Sequence, residues 1–269
     1  MMNQSGLLAV STVMSTFSGP GPTEPAPAGT APRVVAFFDV DGTLLSGTST
    51  FTAMERCRRA LGRPLTEAQG PAGTPGATGG PYTDSSAAEA ARACRELLCG
   101  LQVAEVARIG REWFQAESAR GGIWNEQVLE AFRGHVRRGF LTVLVSGAVP
   151  ACVEPIARHL GADAILCSDP ETAVGRYTGR LVSPMTGRAR GYGARRFMNG
   201  HGLDRAGAFA YADRATDLPL LAEVGNPVAV GDDPLLAAHV EGGGRLGPRS
   251  ATDRSAGLEI EDGRLLTSA

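Results

Sequence analysis

No lysine occurs anywhere in the 269 residues, so all 26 basic side chains are arginine. Any permanently cationic side chain that serves chemistry in this chain has to be a guanidinium. Other scarcities narrow the field further. The five cysteines, at 57, 94, 99, 152 and 167, form no C-x-x-C pair, and a chain of this size does not depend on disulfide staples, so reduced and mostly buried thiols are expected. The four histidines show no ligand spacing, which argues against a zinc site. No apolar run approaches a membrane span, and Met1–Phe17 lacks the basic start and long apolar run of a secretory signal. A cytoplasmic protein is expected. With a net charge of −2 and no basic stripe, nucleic acid is not expected as a partner. Nothing in the sequence speaks to the oligomeric state.

What is present is enough for one globular domain and a modest accessory one, since 43% of the residues are hydrophobic. Ser18–Pro32 (SGPGPTEPAPAGTAP) has almost no core-forming residues, so residues 1–32 read as a disordered leader. A second such stretch, Gln69–Pro81 (QGPAGTPGATGGP), reads as a flexible insertion. From Gly242 onward the chain is again Gly-rich and polar, a flexible tail in which LEIEDGRLL carries the pattern of a short hairpin about Asp262-Gly263.

Between the soft segments, short apolar runs alternate with helix-like stretches. RVVAFFDV, FLTVLVS, DAILCS, GAFAYAD and NPVAVG have the length and apolar character of buried parallel strands. Pro150–Leu160, Arg190–Asn199 and Thr216–Val224 read as helices closed by or near Gly. The alternation predicts an α/β fold with a doubly wound, Rossmann-like parallel sheet whose site lies at the carboxyl ends of its strands. One block departs from it. From about Ser46 to Arg138 no strand intervenes, while Val103, Val106, Gly110, Trp113 and Phe114, and then Trp124, Val128, Phe132 and Val136, recur at helical spacing. Ser86 with Glu89 offers a capping box for a helix ending at Gly100. The expected organisation is a core of residues 33–45 and 139–241, with a helical cap over 46–138 inserted after the first strand.

The chemistry begins where that strand ends, in DVDGTL. Asp39 and Asp41 are two residues apart, which in extended backbone turns both carboxylates to one side. Gly42 permits a sharp turn and Thr43 sets a hydroxyl beside them. Such a pair can bind a cation, divide nucleophile and acid/base duties, or do both. Further on, Ser146-Gly147 closes the run FLTVLVS ahead of a helix, a placement suited to cradling phosphate. Asp213 and Asp217 follow GAFAYA in a D-x-x-x-D spacing.

A hydrophobic strand followed by DxDGT[LV] resembles the first motif of the haloacid dehalogenase superfamily, and the other motifs follow in order. The resemblance runs from about Arg33 to His239 and is closest to the phosphoserine-phosphatase-like branch, with GRYTGRLVSP and YADRATDLPLLAEVGNPVAV pointing the same way. It implies a phosphatase that uses Mg²⁺. Asp39 would be the nucleophile, Asp41 the acid/base, and Thr43, Ser146 and Gly147 the phosphate-side groups. Asp39, Asp41, Asp213 and Asp217 would make up the metal site. The family's third motif supplies a cation, usually lysine, which here falls on Arg190, with Arg188 as the other candidate. The chain departs from the pattern at Arg214, where a small residue often stands, and at Gly231, where many relatives have Asn. The substrate implied is a small phosphomonoester: phosphoserine, a sugar or cyclitol phosphate, or a biosynthetic intermediate. The alternatives are a non-catalytic relative that binds a phosphorylated ligand, or a phosphotransferase or phosphomutase.

Overall fold

The computed structural model describes residues 34–46, 50, 59 and 85–241, with short strands at 14–16, 245–246, 258–261 and 264–267. The insertion at 69–81, most of the leader, the Ser86 and Glu89 side chains and the Asp262-Gly263 turn lie outside the described residues.

The strand run VAFFD forms β2 (Val35–Asp39), buried at every position. Ala36 and Phe38 enter one hydrophobic core while Val35 and Phe37 enter another, because successive side chains of a strand point to opposite faces of its sheet. A strand with no polar face can only sit at the centre of a sheet covered on both sides. β2 is therefore central, flanked by β3 (Leu141–Ser146) and β7 (Phe209–Ala212), both parallel to it.

Beyond β3 lies β4 (Ala164–Cys167), and beyond β7 lie β8 (Asn226–Ala229) and the two-residue β9 (Arg245–Leu246), all parallel to their neighbours. The five strands read from sequence all form, in the parallel sheet expected. The remaining member, β1 (Met14–Thr16), pairs antiparallel with β4 and caps that edge. Part of the expected leader thus serves as a strand: the outer edge of β4 presents unpaired backbone groups, and even a short extended segment can satisfy them. At the other end, β10 (Leu258–Glu261) and β11 (Arg264–Thr267) pair antiparallel with Glu261 opposite Arg264, the hairpin read from LEIEDGRLL.

Helices cover both faces. On one side lie α1 (Ser85–Leu98), α2 (Val103–Arg120), α3 (Glu126–Arg137) and α4 (Pro150–Leu160), whose buried residues share a core with Phe38 and Leu144. On the other lie α5 (Arg188–His201), α6 (Leu218–Leu221) and α7 (Pro234–Glu241). The helix read over Thr216–Val224 is shorter than expected: a 3₁₀ turn at Ala215–Asp217 leads into the single turn of α6. Val106, Gly110, Trp113, Phe114, Val128 and Phe132 are buried, whereas Val136 is half-exposed, so the α3 stripe turns toward Leu129 and His135 instead. His135 lies between Phe38 and Phe209, shares a hydrogen bond of 2.9 Å with the Tyr211 hydroxyl, and is pushed down to about 4 by burial. Cys94, Cys152 and Cys167 are buried thiols and Cys99 is exposed.

One hairpin near the site also went unread in the sequence. β5 (Asp169–Ala173) and β6 (Arg176–Ser183) form an antiparallel hairpin that packs against α1. Its backbone also pairs with the α1–α2 connection, through Gly100 N–H to Tyr177 O at 2.8 Å and Tyr177 N–H to Leu101 O at 3.0 Å. The two-residue turn has positive φ at both positions, 49° at Val174 and 72° at Gly175. Asn-Gly or Asp-Gly ordinarily marks such a turn, so a β-branched residue in its first position hides it.

Candidate active site

The sheet order reverses at β2: from it the chain moves to β3 and β4 on one side and returns to β7 and β8 on the other. In open parallel sheets the crevice for ligands opens at that switch point, beyond the carboxyl ends of the strands. Asp39 is the last residue of β2, Ser146 the last of β3, and Asp213 directly follows β7. Three stretches far apart in sequence thereby deliver polar side chains to one place.

Asp39 is 1% exposed. Its Oδ1 accepts a hydrogen bond from Arg190 Nη1 at 2.5 Å, while its buried Oδ2 has no hydrogen-bond partner. The same Nη1 lies 2.5 Å from Asp217 Oδ1, within ion-pair distance but without hydrogen-bond alignment. Arg190 is in turn held by its Nε, which donates to Met185 O at 3.1 Å. Arg188 is exposed at the first position of α5. Of the two arginines weighed in the sequence, the structure brings Arg190 to the acids.

Asp41 takes a different partner. Its carboxylate accepts from the Thr50 backbone N–H and from Thr50 Oγ1, both at 2.6 Å. Burial raises its pKa above the ordinary carboxylate value and the Asp39 charge adds to this, while the two Thr50 hydrogen bonds and Arg214 pull it back. Thr50 was not read from the sequence, since a threonine in a GTST run carries no periodic or motif signal.

The acids that converge are Asp39, Asp213 and Asp217, each offering one oxygen within 4.8 Å of the others. Asp41, expected with them, is turned to Thr50. Asp213 packs against the DVDGTL turn: Thr43 Oγ1 donates to its Oδ1 at 3.2 Å, and Gly42, at φ +88°, leaves no room for a side chain beneath it. Burial pushes Asp213 up to about 6 and Asp217 up to about 7, and neighbouring carboxylates add to both. Arg214 tempers Asp213, and Arg190 and Arg214 temper Asp217. Crowded carboxylates in a low-dielectric site resist sharing full negative charge. Three oxygens of this hardness and spacing, with Asp217 Oδ1 buried and without a hydrogen bond, fit a divalent cation such as Mg²⁺.

On the β3 side, the Ser146 hydroxyl accepts from Ala148 N–H at 3.1 Å. Gly147 lies beside Arg190: a Cβ there would meet Arg190 Nη2 at 3.8 Å and Thr186 Cγ2 at 3.3 Å. Thr186 Oγ1 is buried without a hydrogen-bond partner. Asp233 holds the β7 loop from outside, accepting from Ala215 N–H at 2.9 Å while capping α7 through Leu235 N–H at 2.8 Å. An Asp before Pro at a helix start is a legible cap, but its reach to Ala215 is not. Gly231 adopts φ +81°, a conformation that Asn also tolerates.

Among the described residues, no helix is long and apolar enough to cross a membrane. The family model described as haloacid dehalogenase-like hydrolase matches residues 36–222. The chain is 31% identical to the inhibition of morphological differentiation protein of Streptomyces azureus over 211 residues, 75% of this chain and 73% of that one. It is 28% identical to phosphoserine phosphatase SerB1 of Mycobacterium tuberculosis over 240 residues, 87% of this chain and 72% of that one. Among solved structures, a protein of unknown function from Bordetella pertussis aligns at a TM-score of 0.65 and 25% identity, covering 81% of this chain and 99% of the other. A phosphoserine phosphatase solved as a phospho-aspartyl intermediate analogue aligns at 0.56 and 19%, covering 80% and 93%, a likeness of fold. With the four motifs gathered at one sheet end and most of the chain matched, the protein belongs to the haloacid dehalogenase-like hydrolases.

Proposed function

We propose that the chain hydrolyses a small phosphomonoester through an aspartyl-phosphate on Asp39, with Mg²⁺ as its metal. The observation that carries this reading is the state of Asp39: buried at a strand end, one oxygen held by Arg190 and the other without a hydrogen-bond partner. A carboxylate so oriented and so poorly solvated is prepared to attack.

In the first step an oxygen–phosphorus bond forms to Asp39 as the ester oxygen–phosphorus bond breaks, and Asp41 gives its proton to the departing alkoxide. Burial favours the protonated form of Asp41 needed at that moment, and Thr50 holds the carboxyl in place. In the second step water attacks phosphorus and yields its proton to Asp41, the bond to Asp39 breaks, and inorganic phosphate leaves. Arg190 carries positive charge to the phosphoryl oxygens from the Asp39 side, with Ser146 and the backbone about Gly147 facing them from the end of β3. Asp39, Asp213 and Asp217 would hold the metal, with Thr43 fixing Asp213. When bound, the ion would supply charge neutralisation for the phosphoryl oxygens.

The helical stretch between β2 and β3, with the insertion at 69–81, is assigned as the cap that selects the substrate, over a core of residues 33–45 and 139–241. We place the substrate among small phosphorylated metabolites of the cytoplasm, with phosphoserine and sugar or cyclitol phosphates the first to try.

The test is phosphate release from a panel of such monoesters, with and without Mg²⁺, by the native chain and by Asp39→Asn. Mg²⁺-dependent release that disappears in the variant is expected. A native chain inactive on every ester would put the non-catalytic, ligand-binding alternative in front.

A further inference from the structure

Among the described residues, two guanidinium groups reach the acidic cluster, and they reach it differently. Arg190 comes from α5, is 12% exposed at its side chain and spans Asp39 and Asp217. Arg214 comes from the loop after β7, with its side chain 39% exposed. Its Nη2 donates to the backbone carbonyl of Asp41 at 2.8 Å, and its Nε lies 3.4 Å from Asp213 Oδ2 and 3.5 Å from Asp213 Oδ1. Asp213 cannot turn away to meet it elsewhere, because Thr43 holds one of its oxygens and Gly42 lies against the other. The guanidinium is thus seated on a fixed carboxylate and an adjacent carbonyl, both hard oxygens at the edge of the three-acid group.

A guanidinium and a divalent ion want the same oxygens but use them differently. The guanidinium is a planar fork of N–H donors that neutralises charge and coordinates nothing. A small dication needs oxygens close about it and is repelled by a positive charge already there. Because Arg214 is tethered one residue from Asp213, it reoccupies those oxygens without an encounter from solution. Because it is more than a third exposed, it has solvent to move into.

We infer that Arg214 is a tethered cation that competes with the divalent ion for the Asp213 side of the cluster, neutralising these acids when the ion is absent and raising the ion concentration at which the site fills. The inference rests on the metal assigned under the proposed function. It gives the departure at position 214 a consequence: a chain with a small residue there would lack the competitor.

The test is calorimetric titration of Mg²⁺, and separately of Mn²⁺ followed by electron paramagnetic resonance, into the full chain without substrate. It compares the native protein with Arg214→Ser, and with Arg214→Gln, which keeps a donor for the Asp41 carbonyl but removes the charge. Both variants are expected to bind the ion about tenfold more tightly or better, the scale of losing one like charge a few ångströms away. They are also expected to melt lower than the native chain in chelator and to gain more on adding Mg²⁺, a readout that reports folding as well. Equal or weaker affinity in Arg214→Gln overturns the inference while leaving the metal assignment standing. No binding of either ion by any of the three proteins removes the metal assignment and this inference together.

Discussion

A Cβ placed on Gly42 would lie 2.1 Å from Asp213 Oδ2, so the turn after the first strand and the acid after the fourth strand of the parallel core are packed without a gap. Gly42→Ala therefore has to displace Asp213 or unwind the turn, and it also meets an unfavourable φ of +88°. We expect a loss of about 1–3 kcal/mol in stability and a fall in kcat of about 100-fold or more, since displaced metal ligands and misplaced reacting groups are costly. Denaturant melts and phosphate-release kinetics check both. A variant as active as the native chain would mean that Asp213 does not need this position.

Arg190→Met leaves Asp39 and Asp217 buried without their shared guanidinium. Removing one partner of a buried ion pair typically costs about 3–5 kcal/mol, lessened here because Asp217 can take up a proton. Activity should fall about 10²–10³-fold, and Arg190→Lys should recover part of it as charge without the Nε–H that donates to Met185 O. Arg188→Met, at an exposed position, should change neither measurement.

Thr50→Val removes the hydroxyl donor to Asp41 and keeps the backbone N–H. Those hydrogen bonds favour the ionised carboxylate, so its pKa rises when one is lost. Because Asp41 must be ionised to accept a proton from water, the acid limb of the kcat–pH profile should move to higher pH. An unmoved limb would take Asp41 out of the rate-determining proton transfer.

The raised carboxyls set a pH dependence of stability. Protonated Asp213 and Asp217 are favoured in the folded state, with pKa values of about 6 and about 7 against an unfolded value near 3.8. The folded protein therefore binds more protons across that window, and its stability falls as pH rises. The contribution is full below about pH 4 and is lost as pH passes through about 6 and about 7. In chelator, the melting temperature should drop from pH 5 to pH 8, and Asp217→Asn should flatten the slope. Mg²⁺ should oppose the drop, because its ligands must be ionised to hold it.

Val174, fully exposed at φ 49°, holds the first turn position between β5 and β6. A β-branched residue there pays for a left-handed backbone that Asn adopts more readily. Val174→Asn should raise stability by about 1 kcal/mol, seen as a few degrees in a thermal melt, with kinetics unchanged.

Much of this molecule is legible along the chain. Periodicity of two and near-continuous apolar runs mark strands buried on both faces, and VAFFD could be nothing but a central strand once both its faces are apolar. DVDGTL marks a site because paired acids at a strand end need their spacing and their glycine locally, and its resemblance to a family motif supplied the chemistry. Five parallel strands and the Asp39–Asp41 pair followed from such local rules, whereas the roles of Asp213 and Asp217 came from the likeness of their spacing to a family motif. The exclusion of lysine made the third-motif cation an arginine before any fold was known.

Only the folded chain decided between Arg190 and Arg188, because two positions along α5 turn a side chain to roughly the opposite side of the helix, and the fold determines which side faces Asp39. Only the fold turned Asp41 to Thr50 and set Arg214 on Asp213 and the Asp41 carbonyl. These are contacts between loops that approach from different strand ends, 173 positions apart in the case of Arg214 and Asp41, and nothing in local spacing encodes their distance. The hairpin of β5 and β6 stayed hidden for a related reason: its turn residue is a poor one, held in place by the α1–α2 connection that pairs with it. The residue types that do chemistry are written locally, whereas the partners that orient and charge them are supplied by packing.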